Sequence, residues 1–155
     1  MNYIDELRKS VGHGLIMTVG CGVLIEDEQG KLLLQKRSDT YEWCIPGGAM
    51  EPVETFEGAA TREVQEEVGI TVGSLRLFGI YSGIEREIHY PNKDVVYSLS
   101  VIFITNEYSG TISDTDSEVL EHRFFSKEEI PDNLFSPDSR AILDWKKGSS
   151  GVIVH

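Results

Sequence analysis

Three carboxylates, Glu63, Glu66 and Glu67, stand at spacings i, i+3 and i+4 in the segment FEGAATREVQEEV. At about 100° per residue they share one helical face. The apolar arc of the same helix is formed by Phe56, Ala60, Val64 and Val68, with Ala59 extending it. Glu63 and Glu67 fall inside that arc and Glu66 at its edge. Gly58, Thr61, Arg62 and Gln65 take the opposite side. A merely solvated acidic face would put its acids away from the arc. Clustered carboxylates repel one another by a few tenths of a kcal/mol per pair when exposed, and by more when buried. Arg62 is the only cation within the helix. A hard divalent cation such as Mg²⁺ or Mn²⁺ would resolve the conflict, because such ions prefer carboxylate oxygens and share their shell with substrate phosphates.

The residues ahead of the helix fit this chemistry. Pro46-Gly47-Gly48 forces a turn, and glycine lets backbone approach a ligand closely. Glu54 stands just before the helix and can fold back toward the same place. No GK[ST] follows the glycines, so this is not a Walker loop. Thr55 is the expected N-cap and Gly69 the expected C′ residue, which predicts a helix over about 56–68.

The elements that must position this helix follow from pattern. Residues 16–26 and 31–37 read as strands joined by the polar turn 26–30, together a hairpin. Residues 38–48 read as a loop. One or two strands are expected within 71–83, and a central strand at 95–105, the longest β-branched and aromatic run. The segment 83–94 ends in a Pro-Asn turn. A polar loop at 109–118 precedes a short strand around 122–126, then a capped helical turn. Short helices are expected at about 2–10 and 137–147. The tail 148–155 begins GSSG and reads as a flexible connection. Strands, one helix, more strands and a terminal helix predict an α+β fold, an α/β/α sandwich with a mixed sheet.

Composition narrows the function. At 155 residues the chain fits one domain, 1–155, large enough to bury a core. Fourteen basic against 26 acidic residues give a net charge of −12, which argues against binding duplex nucleic acid through a basic face. Small anionic substrates stay open, because a bound cation reverses the local field. No apolar run is long enough to span a bilayer, and no secretory signal is evident. Two cysteines outside any paired motif, Cys21 and Cys44, read as buried thiols and favour the cytoplasm.

The residues from Gly48 to Ile70 are similar to the Nudix box, Gx₅Ex₇REUxEExGU with U aliphatic. Gly48, Glu54, Arg62-Glu63-Val64, Glu66-Glu67 and Gly69-Ile70 fill every defined position. The resemblance implies a Nudix hydrolase that cleaves the pyrophosphate of a nucleoside diphosphate derivative, a small nucleotide. It implies that Glu63, Glu66 and Glu67, with the carbonyl of Gly48, hold Mg²⁺ or Mn²⁺, and that Arg62 orients a glutamate. Glu54 is the remaining box acid. A further carboxylate from a later loop is expected, with Glu121 preferred over Glu118. The general base is open among Glu66, Glu67 and that loop acid. A homodimer is compatible with the family, and a non-catalytic Nudix-fold sensor is the alternative. Lys36 and Arg37 could contact phosphates and Trp43 could stack on a base. His89, Tyr90 and Asn92 lie where selectivity could reside.

Overall fold

The computed structural model describes residues 3–113 and 117–155. Helix α1 spans Tyr3–Val11. Strands β1 (Ile16–Ile25), β2 (Leu32–Arg37), β3 (Trp43–Cys44) and β4 (Gly47–Ala49) lead to helix α2 (Phe56–Val68). Then come β5 (Thr71–Val72), β6 (Arg76–Tyr81), a 3₁₀ turn at Ile84–Arg86, β7 (Glu87–His89), β8 (Val95–Thr105) and β9 (Tyr108–Ser109). Strand β10 (Val119–Phe125), helix α3 (Ser136–Lys147) and β11 (Ile153–Val154) complete the chain.

The main sheet has the order β11-β6-β8-β1-β4, with β7 also paired to β8. Strands β1 and β8 run parallel from Ile16↔Val96 to Ile25↔Thr105. The other pairings of this sheet are antiparallel except β11 on β6. A second sheet has the order β10-β2-β3, and β5 pairs with β9.

Both faces of the central strands are buried, so their apolar runs are continuous rather than alternating with polar residues. The alternation instead sorts side chains between two cores. Cys21, Val23 and Ile25 of β1, with Val101 and Phe103 of β8, pack against Ala59, Ala60, Val64 and Val68 of α2. Leu24, Ile102 and Ile104 face the other way, onto Ile142 and Trp145 of α3. The molecule is thus an α+β sandwich with a mixed sheet between helices.

Three expectations are corrected. Strands β1 and β2 are not a hairpin: one bridge, Glu26↔Leu32, joins them before they diverge into separate sheets. Each finds a longer partner elsewhere, β8 for β1 and β10 for β2. The stretch 38–48 is not all loop, because β3 and β4 form edge strands there. The tail is tied down: β11 pairs with β6, and Ser82 N–H and Oγ both donate to the His155 carbonyl, at 2.8 Å each. The segment after β10 makes the expected capped turn: Glu129 N–H donates to the Ser126 carbonyl at 3.1 Å, and the Glu129 carboxylate accepts from Ser126 N–H at 3.2 Å. Part of the expected 109–118 loop, residues 114–116, lies outside the described residues.

Candidate functional site

Helix α2 is set by its ends. Thr55 Oγ1 accepts from Gly58 N–H at 3.0 Å, and Gly69 adopts φ 77° where its N–H reaches the Gln65 carbonyl. Its four buried residues, Ala59, Ala60, Val64 and Val68, fix its rotation against β1. Phe56, assigned to the apolar arc by its spacing, is instead 49% exposed in the first turn, beyond the edge of the core.

That rotation puts the acids beside β4. A Cβ on Gly48 would stand 2.6 Å from the Glu63 carboxylate, and one on Gly47 would stand 2.5 Å from the Cys21 carbonyl oxygen. Only glycines let β4 lie this close to both β1 and α2. The turn therefore holds its backbone directly against Glu63.

Arg62 is the hub of the acidic rim, although its helical spacing puts it on the side opposite the apolar arc. Its Nε and Nη2 donate to Glu54 at 2.7 and 3.0 Å, and Nη1 donates to Glu63 at 2.7 Å and Glu66 at 3.2 Å. Nη2 also reaches the Ala49 carbonyl at 3.1 Å. Its long stem carries the guanidinium around the helix to its own side of the cleft. The partners respond differently. Bonds from Arg62 and from the Glu51 N–H hold Glu54 down at about 2. Burial raises Glu63 despite its bond to Arg62, since desolvation disfavours the charged form.

Glu67 is held by other donors. Its Oε2 accepts from Gly47 N–H and from Gln35 Nε2, both at 2.8 Å. Gln35 is 3% exposed on β2, and its Oε1 has no hydrogen-bond partner among the described residues. Glu66 is the most open of the three, with 57% of its side chain exposed against 13% for Glu63.

These acids form one end of a cleft of about 910 Å³. Its floor is made of small residues, Thr18, Gly20 and Gly22 of β1 with Ser98 and Ser100 of β8. Its far side holds Arg37, Asp39, Arg86, Tyr90 and Asp138. Arg37 pairs with Asp39 through two bonds, at 2.9 and 2.7 Å, and lies over the Phe135 ring at 4.5 Å. Burial alone would lower Arg37, but the Asp39 carboxylate outweighs it and raises the group. Arg86 is 2% exposed, and burial lowers it. Burial pushes Asp138 up to about 6, with Arg86 opposing the shift. Asp138 also accepts from Ile45 N–H at 3.2 Å.

Of the expected site residues, Gly48, Arg62, Glu63, Glu66 and Glu67 line the cleft, and Glu54 is joined to them through Arg62. Glu121 does not line it. It is exposed on β10, opposite Lys36 of β2, whereas Glu118 does line the cleft. The strand begins three residues earlier than its aromatic run suggests, so Glu121 lies within the ladder rather than in the loop before it. Trp43 is a core residue, edge-on to Phe125 at 4.8 Å, and offers no face to a base. His89 is exposed and bonded to Glu87, while Tyr90 and Asn92 line the cleft. Gln35, Arg86 and Asp138 were missed. The one available signal was Gln35, which directly follows Leu32-Leu33-Leu34 in a strand where a polar side chain must find a buried role, whereas Arg86 and Asp138 stand in polar sequence.

Among the described residues no three His, Cys, Asp or Glu side chains converge as a metal-binding group. The donors nonetheless suit a hard cation. They are carboxylates on one rim, beside a glycine backbone that approaches with no side chain between. In this arrangement Arg62, Gln35 and Gly47 supply the positive charge and N–H groups that the acids require.

The sequence profile of the NUDIX domain matches residues 17–146. An ADP-ribose pyrophosphatase of Methanocaldococcus jannaschii is 30% identical over 129 residues, covering 81% of this chain and 72% of its own. A MutT-like protein of Streptomyces ambofaciens is 28% identical over 147 residues, covering 95% and 88%. Among solved structures, a MutT NUDIX hydrolase from Burkholderia pseudomallei superposes with a TM-score of 0.70 at 24% identity, covering 83% of this chain and 97% of that one, a likeness of fold. With its box intact and its acids gathered by Arg62, the chain belongs to the NUDIX family and is a Nudix hydrolase.

Proposed function

We propose that the chain is a divalent-metal-dependent pyrophosphohydrolase acting on a nucleoside diphosphate derivative. ADP-ribose or a nucleotide sugar is the first class to consider, and a nucleoside triphosphate the second. The observation that carries this reading is the Arg62-centred carboxylate rim lying against the Gly47-Gly48 backbone at one end of a large cleft. The name of the archaeal relative supports the first class, and that of the MutT-like relative the second.

Glu63, Glu66 and Glu67, with the Gly48 carbonyl, would hold Mg²⁺ or Mn²⁺. When bound, such an ion screens the anhydride's charge and lowers the pKa of a coordinated water. The chain's own residues do the positioning. Arg62 orders Glu54, Glu63 and Glu66 by charge-assisted bonds, which are shorter and stronger than neutral ones. Gln35 and the Gly47 N–H hold one oxygen of Glu67. Glu66 would take a proton from the attacking water, a reading that its being the most exposed of the rim acids supports. Attack in line with the leaving oxygen then breaks the phosphoanhydride.

A panel of ADP-ribose, nucleotide sugars and nucleoside triphosphates with Mg²⁺ or Mn²⁺ tests this. Turnover should require metal, and Glu66→Gln or Glu67→Gln should lower kcat by roughly 100-fold or more with the melting temperature retained. Tight binding without turnover across the panel would instead identify a sensor. The buried, unbridged Cys21 and Cys44 support a reducing compartment, the cytoplasm.

A further inference from the structure

Arg86 is a buried cation with no opposite charge at contact distance. Its Nε donates to the Ser98 carbonyl at 2.9 Å and its Nη2 to Ser100 Oγ. Both acceptors are neutral. No carboxylate among the described residues comes within ion-pair distance of it, and Asp138 and Glu85 act on it only from farther away. A buried charge held by neutral oxygens alone is costly, and such groups are usually paired or complete a ligand site.

Arg86 is also one of the residues that line the cleft. Ala49, Gly20 and Ser100 form one row across the sheet, because Gly20 pairs with Ala49 on one side and Ser100 on the other. Arg86 at Ser100 is therefore two strand spacings, about 10 Å, from the β4 edge where Arg62 gathers the acids. Gly20, in the middle of the row, has two serine hydroxyls and the Gly48 carbonyl oxygen as the nearest atoms to its missing side chain, at 3.3 to 3.7 Å. Along this row the floor is made of small residues, Ala49, Gly20 and Ser100.

We propose that Arg86 is an anion-binding subsite, which receives a phosphate or carboxylate on the part of the substrate remote from the scissile anhydride. The assignment rests on the hydrolase reading above and narrows its substrate class to derivatives whose distal moiety is itself anionic. The acidic rim and Arg86 then divide one molecule between them. The rim handles the anhydride, and Arg86 selects what hangs from it.

Matched pairs separate the two moieties. UDP-glucose and UDP-glucuronate differ by one carboxylate. ADP-ribose and its derivative phosphorylated on the terminal ribose differ by one phosphate. The wild-type chain with Mg²⁺ should favour the anionic member of at least one pair by about tenfold or more in kcat/KM, mainly through KM. Arg86→Gln should abolish that preference, and Arg86→Lys should keep part of it. A second readout does not need turnover: inorganic phosphate without metal should raise the melting temperature of the wild type and Arg86→Lys, but not of Arg86→Gln. If nothing is hydrolysed yet the phosphate shift follows Arg86, the hydrolase reading fails and the anion site stands. Equal use of both members of each pair by the wild type, or unchanged selectivity in Arg86→Gln, overturns the subsite. If Arg86→Gln does not fold, the wild type and Arg86→Lys decide by the same two criteria.

Discussion

At the scale of residues, the site is a set of carboxylates in different surroundings. Glu54 and Glu63 share Arg62 yet shift in opposite directions, because Glu63 loses more solvent than the bond returns. Gln35 makes the sharpest single case. Its amide donates to Glu67 while its carbonyl oxygen has no partner among the described residues, a cost of about 1–3 kcal/mol for a buried acceptor. Turning the amide over would aim that oxygen at the carboxylate, so the orientation is set by Glu67. Gln35→Leu should therefore reduce kcat more than it changes KM, while Gln35→Glu should be worse because two carboxylates would meet. Steady-state kinetics with parallel melting curves decide it; equal activity in all three proteins would show that Glu67 needs no such support.

At the scale of elements, what was legible in the sequence was whatever local spacing encodes. The box acids, the caps Thr55 and Gly69, and the strand 95–105 all declare themselves within a window of a few residues. The features that escaped depend on partners far along the chain. Strand β1 resembles one arm of a hairpin because β2 lies just beyond it in sequence, but ten residue pairs with β8 outweigh one bridge to β2. Gln35, Arg86 and Asp138 carry no mutual spacing, since β2, the 3₁₀ turn and α3 meet only in the folded molecule. The tail escaped because its glycines and serines encode a turn and carry no trace of the strand pairing beyond it. Strand β11 covers the β6 edge, and the His155 N–H donates to the Ile80 carbonyl at 3.0 Å. Removing residues 151–155 should expose that edge and lower the melting temperature by several degrees, with a gain in concentration-dependent aggregation measured by light scattering.

At the scale of the whole molecule, the charge distribution sets the response to pH. Asp138 has its folded pKa raised to about 6 by burial, so folding favours its neutral form. The folded state binds the extra proton between the ordinary aspartate value and about 6, and this group's contribution to stability falls as pH rises through that window. Glu54 works in the opposite sense: held at about 2 by Arg62, it stabilises the fold above the ordinary glutamate range, and that support is lost as pH falls toward 2. Asp138→Asn, which keeps an acceptor for the Ile45 N–H, should raise the melting temperature at about pH 8 by a few degrees and have little effect near about pH 4. Melting curves across that range check it, and a uniform shift at all pH values would mean that Asp138 acts by packing instead.

The row Ala49–Gly20–Ser100 has a kinetic consequence. Neighbours in that row come from positions 20, 49 and 100 of the chain, and the parallel pairing of β1 with β8 brings together residues 80 apart in sequence. Closing so long a loop costs entropy before any contact repays it, and folds built on such pairings form slowly. The floor of the cleft does not exist until the last of these strands arrives. Every residue of the acidic rim lies within the first 70, yet an emerging chain completes the cleft that the rim faces only when β8 has paired with β1.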